Sequence, residues 1–180
     1  MGIAVSRATV ARKKMKQKIE PITFPISVYD KYLLKSSWRQ LEAKQVEFGV
    51  GLFQSVFLKR PELINKFPEF KSMDDLEEMK SWHLLKGHPR KLSFAFNLAI
   101  DSIDDGLAFI EKIESIGYKH IDKMSDNDME LMGAAIIETV RDLTPAGLWT
   151  RDVEKAWKSL YSYICKLFKD SIEKAKSTTC

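Results

Sequence analysis

Of the side chains in this sequence, the histidines have the most chemistry to offer. There are three, and two of them bound a single stretch. His88 opens and His120 closes HPRKLSFAFNLAIDSIDDGLAFIEKIESIGYKH. Leu92, Ala95, Phe96, Ala99 and Ile103 follow His88 at spacings of three and four, which places them on one helical face with it. Leu107, Ile110, Ile113 and Ile116 lead into His120 in the same way. The spacing predicts two amphipathic helices, each with a histidine in its apolar stripe, joined at Asp104-Asp105-Gly106. A neutral imidazole is a common metal ligand. Two of them facing across an apolar slot suit a flat cofactor whose metal takes axial nitrogen ligands. A lone histidine on an apolar face is more often a packed core residue, so other features must support the pairing. His83, five residues before His88, is expected at the surface.

The rest of the chain must supply the frame. At 180 residues it is one domain with room for a substantial core. Gly and Pro are scarce, and no run alternates between turn signals as a strand would. An all-α fold is therefore expected. A first helix should run from Val28 to about Lys44 with Leu33, Leu34, Trp38 and Leu41 inward. A second passes through Phe48, Leu52, Phe53, Val56 and Phe57 and stops at Pro61. Pro61 suits the first position of a short helix, PELINKF, which closes at Phe67-Pro68-Glu69-Phe70. Residues 71–81 are charged and read as a loose helix or a loop. Ser125 and Asp128 make a capping pair for a helix through Met129, Met132, Ala135, Ile136 and Val140. Thr150 caps a final helix presenting Trp157, Leu160, Tyr161, Ile164 and Phe168. Cys165 reads as a small packed residue and Cys180 as exposed.

Two cysteines cannot build a disulfide framework, which favours a reducing, intracellular compartment. There is no apolar run of ~20 residues to span a membrane, no secretory leader, and no phosphate loop, zinc motif or catalytic triad. The net charge of +4 is concentrated at one end. Six of the 29 basic residues lie in the first 18 positions, where no acidic residue occurs, and the remainder carries 23 basic against 25 acidic side chains. A nucleic-acid-binding body is therefore not expected. The opening MGIAVS fits the pattern in which Gly2 is myristoylated. One acyl chain anchors only marginally, and the adjacent Arg7, Arg12, Lys13, Lys14, Lys16 and Lys18 would add attraction to an anionic membrane surface, about 1 kcal/mol each. The alternative is an unmodified basic tail in the cytosol. Residues 1–27 are accordingly read as tail and linker, 28–175 as the folded domain and 176–180 as a C-terminal tail.

Five segments in order resemble the globin family. YLLKSSW resembles its first helix, and LFQSVFLKRPELINKFPEF the stretch in which a proline opens a short helix and a phenylalanine six residues on packs on haem. KGHPRKL resembles the distal segment, ESIGYKH the proximal Leu-Gly-x-x-His signature, and AWKSLYSYI the last helix. The 32-residue separation of the two histidines is similar to that of neuroglobin-like and cytoglobin-like members. The wider resemblance extends to globin-X-like and nematode-type intracellular globins.

The resemblance implies a globin fold of about seven to eight helices around haem b. It implies His120 as the proximal iron ligand, its second nitrogen bonded to the Ile116 carbonyl, and His88 as the distal residue or sixth ligand. Phe67 would stack on the porphyrin, Phe53 would cover the distal side, and Leu92 would bound the ligand cavity. Met129, Met132, Leu160 and Tyr161 would form the inner wall. The implied function is binding of dioxygen or another diatomic ligand, or redox or signalling work with a cellular reductase. Nitrite reduction or superoxide chemistry would be accessory, and the chain is not read as an enzyme. The alternative is a haem-free globin-fold interaction module held at a membrane by its tail. One departure stands out. Pro89 follows His88 directly, and a proline disfavours helical geometry in the residue before it. The distal helix should start or kink at His88, which would let the ring swing in and out.

Overall fold

A computed structural model of the chain describes residues 24–70 and 87–178. Gly2, the basic cluster, residues 71–81, His83 and Cys180 lie outside the described residues. Among those described there are six α-helices and no strand: α1 (Val28–Arg39), α2 (Gln45–Lys59), α3 (His88–Asp101), α4 (Gly106–Tyr118), α5 (Asp126–Leu143) and α6 (Arg151–Thr178). Short 3-10 turns at Pro61–Lys66 and Pro68–Phe70 bridge from α2 towards α3. No described helix is long and apolar enough to cross a membrane.

The starts of the helices follow from local chemistry. The first four N–H groups of a helix have no partner inside it, and short polar side chains supply one. Ser27 accepts from the Asp30 N–H at α1, Asp105 from Ala108 at α4, and Thr150 from Val153 at α6. Ser125 and Asp128 close a reciprocal capping box at α5. α3 is different. Its preceding residue, Gly87, has no side chain to cap it.

α4 packs on α6, and α2 packs on both α3 and α5, with α1 against α6. Trp38 and Trp157 are buried at the centre, and each indole N–H has an acceptor: Asn97 Oδ1 for Trp38 and Ser37 Oγ for Trp157, both at 3.0 Å. Burying either ring without that partner would cost free energy. Each pair therefore fixes the core as well as filling it.

Three sequence expectations shift. The first helix ends at Arg39 rather than about Lys44, because Leu41 turns into the core and the chain makes a 3-10 turn at Glu42–Lys44 before α2. Leu107, expected in the inward stripe of α4, is 54% exposed; Phe109, Ile113 and Gly117, four apart, are the buried line. Phe109 is held there by Phe24, whose ring meets it edge-on at 5.1 Å and meets Tyr163 at 5.4 Å. Packing thus begins at residue 24, inside the stretch read as linker, and Ile26 is also buried. At the other end, α6 continues through Thr178.

Two of the close approaches that need glycine reach the neighbouring backbone. At Gly117 a side chain would overlap Ser171 of α6 and sit 3.4 Å from the Phe168 Cα. At Gly49 it would strike the Pro89 carbonyl and lie 2.7 Å from Ser93 Oγ. The second crossing presses α2 onto the first turn of α3. Gly49→Ala should destabilise the fold by about 1–3 kcal/mol, the usual cost of overpacking against backbone. Denaturant unfolding of the variant checks this, and an unchanged midpoint would contradict it.

Candidate functional site

The two histidines that the sequence singles out meet. Their ring centroids are 6.0 Å apart with planes at 88°. His88 is the first residue of α3, and its backbone N–H donates to Glu69 Oε1 at 3.1 Å. The helix does begin at His88, and Gly87 before it is extended. Having no N–H to offer, Pro89 costs nothing in a first helical turn.

His120 is not within its helix. α4 ends at Tyr118, and the ring stands on the turn that follows, where the His120 N–H donates to Gly117 O at 2.9 Å. Two residues on, Asp122 has φ 58°, a left-handed conformation that aspartate tolerates better than most residues. His120 Nδ1 lies 2.8 Å from the Ile116 carbonyl. A carbonyl can only accept, so Nδ1 carries a proton, and in the neutral tautomer this bond selects, the lone pair is on Nε2. Phe168 of α6 backs the ring at 5.7 Å, an approach that the Gly117–Ser171 contact makes possible.

Around His88 the neighbours are aromatic. Phe67 lies 5.0 Å and Phe53 5.9 Å from its ring, both near edge-on. Phe57 and Phe70 complete the cluster. Burial among these rings pushes the His88 imidazole below its ordinary pKa, against the opposing pull of the Glu69 carboxylate. The result favours the neutral, ligand form. Phe53, Phe67, His88, His120 and Ile116 are thus brought together. Leu92 and Met132 are half-buried against the core, Leu160 is fully buried, and the Tyr161 hydroxyl donates to the Met129 carbonyl at 2.6 Å. Burial also raises the Tyr161 pKa, so the hydroxyl stays protonated.

The geometry can be tested against the haem that the family resemblance implies. Metal–imidazole bonds of about 2.0–2.1 Å and about 1.1 Å from each nitrogen to its ring centre together span about 6 Å. The observed 6.0 Å is close to that sum, so the two imidazoles are the residues that would hold the iron of a haem. Among the described residues no cluster of three or more His, Cys, Asp or Glu could hold a bare ion. A donor set of two nitrogens fits a macrocycle that brings the other four.

Sequence reasoning missed three residues. Glu69 and Lys66 are ordinary charged residues in a turn, and only their placement marks them. Lys66 Nζ donates to Asp128 Oδ2 at 2.8 Å and to the Lys123 carbonyl at 3.2 Å, tying the residue beside Phe67 to the turn that carries His120. Asp128, noticed only as a cap, is also 3.4 Å from Arg60. Burial raises its pKa, but hydrogen bonds from Lys66 and Ser125 outweigh this and hold it at about 2. A depressed folded-state pKa gives stability that is present above the unfolded value near 3.8 and lost as pH falls towards 2. Allowing for solvent around the partners, Asp128→Asn should remove about 1–2 kcal/mol at pH 7. The difference from wild type should shrink as pH falls from 4 to 2. Urea unfolding across that range checks it; a constant difference would refute the assignment.

Comparison with known proteins places this arrangement. The chain is 26% identical to neuroglobin of Danio rerio over 141 residues, covering 77% of this chain and 87% of that protein. It is 22% identical to cytoglobin-1 of Oryzias latipes over 143 residues, covering 78% and 80%. A crystal structure of a hexacoordinated haem protein from an anhydrobiotic tardigrade superposes with a TM-score of 0.70 at 17% identity, over 83% of this chain and 97% of that one. The globin family model matches residues 50–167. With the helical order and the buried frame described above, the chain belongs to the globin family and has the globin fold.

Proposed function

We propose that this globin binds haem b, with His120 as the proximal iron ligand and His88 as a distal residue able to occupy the sixth position. The observation that carries the reading is the 6.0 Å between the two imidazoles. The tardigrade protein of similar fold is itself described as hexacoordinated. Haem of the b type fits a chain with no Cys-x-x-Cys-His for covalent attachment. When bound, haem supplies the iron at which a diatomic ligand is taken up or an electron is exchanged.

The chain's own residues do the rest. His120 presents Nε2, because its Nδ1 proton is held by the Ile116 carbonyl, and that bond fixes both tautomer and ring orientation. Phe67 and Phe53, packed edge to face, keep water from the distal side and make it apolar. Leu92, Met129, Met132, Leu160 and Tyr161 are the wall residues of this reading. Protonated at one nitrogen only, His88 can donate to an incoming dioxygen or similar ligand, or offer its lone pair to the metal. Ligand binding and His88 ligation then compete. The function is reversible binding of dioxygen or another diatomic ligand, redox or signalling work in which a cellular reductase would supply electrons, or both, and no turnover of a further substrate is assigned.

Absorption spectra of the purified protein test this. Reduced and ligand-free, it should give a low-spin, six-coordinate spectrum, and His88→Leu should convert it to a five-coordinate, high-spin one. If His88 occupies the metal in nine molecules of ten, its removal should raise the apparent affinity for carbon monoxide about tenfold. A colourless protein after expression with haemin, or a spectrum indifferent to His120→Ala, would overturn the assignment.

The amino-terminal tail adds a membrane-surface anchor to this reading, resting on MGIAVS and the basic run behind it. Gly2→Ala should move the protein from the membrane fraction to the soluble one. An unaltered distribution would refute acylation.

A further inference from the structure

The distal helix has an unusual beginning. Gly87 cannot cap it, Pro89 has no N–H, and no acidic residue lies in its first turn. The positive end of a helix dipole would normally draw such a group. Here the anion comes from elsewhere in the chain. Glu69, in the turn Pro68–Phe70, accepts from the His88 N–H at 3.1 Å through Oε1, and the same oxygen is 3.9 Å from His88 Nδ1. Glu69 cannot drift far. Phe67 and Phe70 on either side of it are packed into the aromatic cluster around Phe53.

We infer that Glu69 is a positioning residue whose carboxylate latches the first turn of the distal helix and so sets the distance of His88 from His120. The inference rests on the reading of His88 as the distal residue. Its physical basis is that His88 is the terminal residue of α3, not an interior one. Helix ends fray first, and opening one residue at this end displaces the imidazole itself. Five residues along, Ser93 donates to the Pro89 carbonyl and to the Gln45 carbonyl of α2, and the Gly49 crossing presses on the same turn. The helix is therefore pinned behind the histidine by α2, and in front of that pin Glu69 is, among the described residues, the side chain that bonds the His88 N–H. With the latch made, the ring stands at 6.0 Å from its partner. With it broken, the pinned turn becomes a pivot and the ring is free to withdraw.

The full-length, haem-loaded protein tests this with Glu69→Ala, Glu69→Gln and Glu69→Asp. Glu69→Ala should lower the six-coordinate fraction of the reduced protein and speed carbon monoxide rebinding by about threefold to tenfold, the scale of one lost hydrogen bond and end charge. Glu69→Gln keeps an oxygen acceptor at the same reach and should restore most of the wild-type behaviour. Glu69→Asp, one methylene short, should behave like the alanine variant. A role in stability alone would lower the melting temperature and leave spectrum and rebinding rate unchanged, and that result overturns the proposal. Should Glu69→Ala fail to fold, wild-type behaviour of Glu69→Asp overturns it equally. If the reduced wild-type protein is already five-coordinate, sixth-site ligation by His88 fails on its own account. The latch is then read from oxygen dissociation: faster release in Glu69→Ala supports it, and an unchanged rate sinks it.

Discussion

Two imidazoles, one at the start of α3 and one on the turn after α4, must be held at a separation that neither segment sets alone. That 6.0 Å is the constraint on which the structure around the site depends. At that spacing, edge to face, the two rings are within ordinary aromatic contact, and what the fold adds is to keep that contact in one place. They are kept at this spacing because each is braced from behind. Phe168 and the Ile116 carbonyl stand behind His120, while Phe53, Phe67 and Glu69 surround His88. The wider fold serves these braces. α6 reaches His120 because Gly117 lets it approach, and α3 reaches its place because Gly49 lets α2 cross its first turn.

The two braces differ in kind. On the proximal side a short bond to a backbone carbonyl fixes the ring, and the left-handed Asp122 just beyond it is further tied to Lys176 of α6 at 3.1 Å. On the distal side the ring is flanked by aromatic faces, which resist compression but not sliding, and by one partly exposed carboxylate. Edge-to-face aromatic contacts contribute about 0.5–1.5 kcal/mol beyond burial and tolerate small displacements. The site therefore has a stiff half and a compliant half. The Lys66–Asp128 pair runs between them, so movement of the Phe67 turn is felt at the turn that carries His120.

Much of this was legible in the sequence because it depends on spacing. Helical periodicity located His88 and the helix that leads to His120, Pro61 located the turn that presents Phe67, and Ser125 with Asp128 located the start of α5. What was not legible depends on contacts between distant segments. Nothing in Glu69 or Lys66 distinguishes a charged turn residue that faces water from one that points at a helix end. Leu107 and Phe109 are both apolar and two residues apart, so periodicity could not choose between them. Phe24 chose, by packing on Phe109 from outside the predicted domain. The early end of α1 has the same origin, since Leu41 is drawn into a core that only tertiary packing defines.

The short turn Phe67–Phe70 carries three separate duties within four residues: Phe67 towards His88, Glu69 towards the helix start, and Phe70 into the cluster behind. A 3-10 turn has about three residues per revolution, so adding or deleting one residue there would rotate everything beyond it by about 120°. A point change at one position leaves the other two duties in place. A change of length scrambles them together. The spacing of these residues within the turn matters as much as their identity.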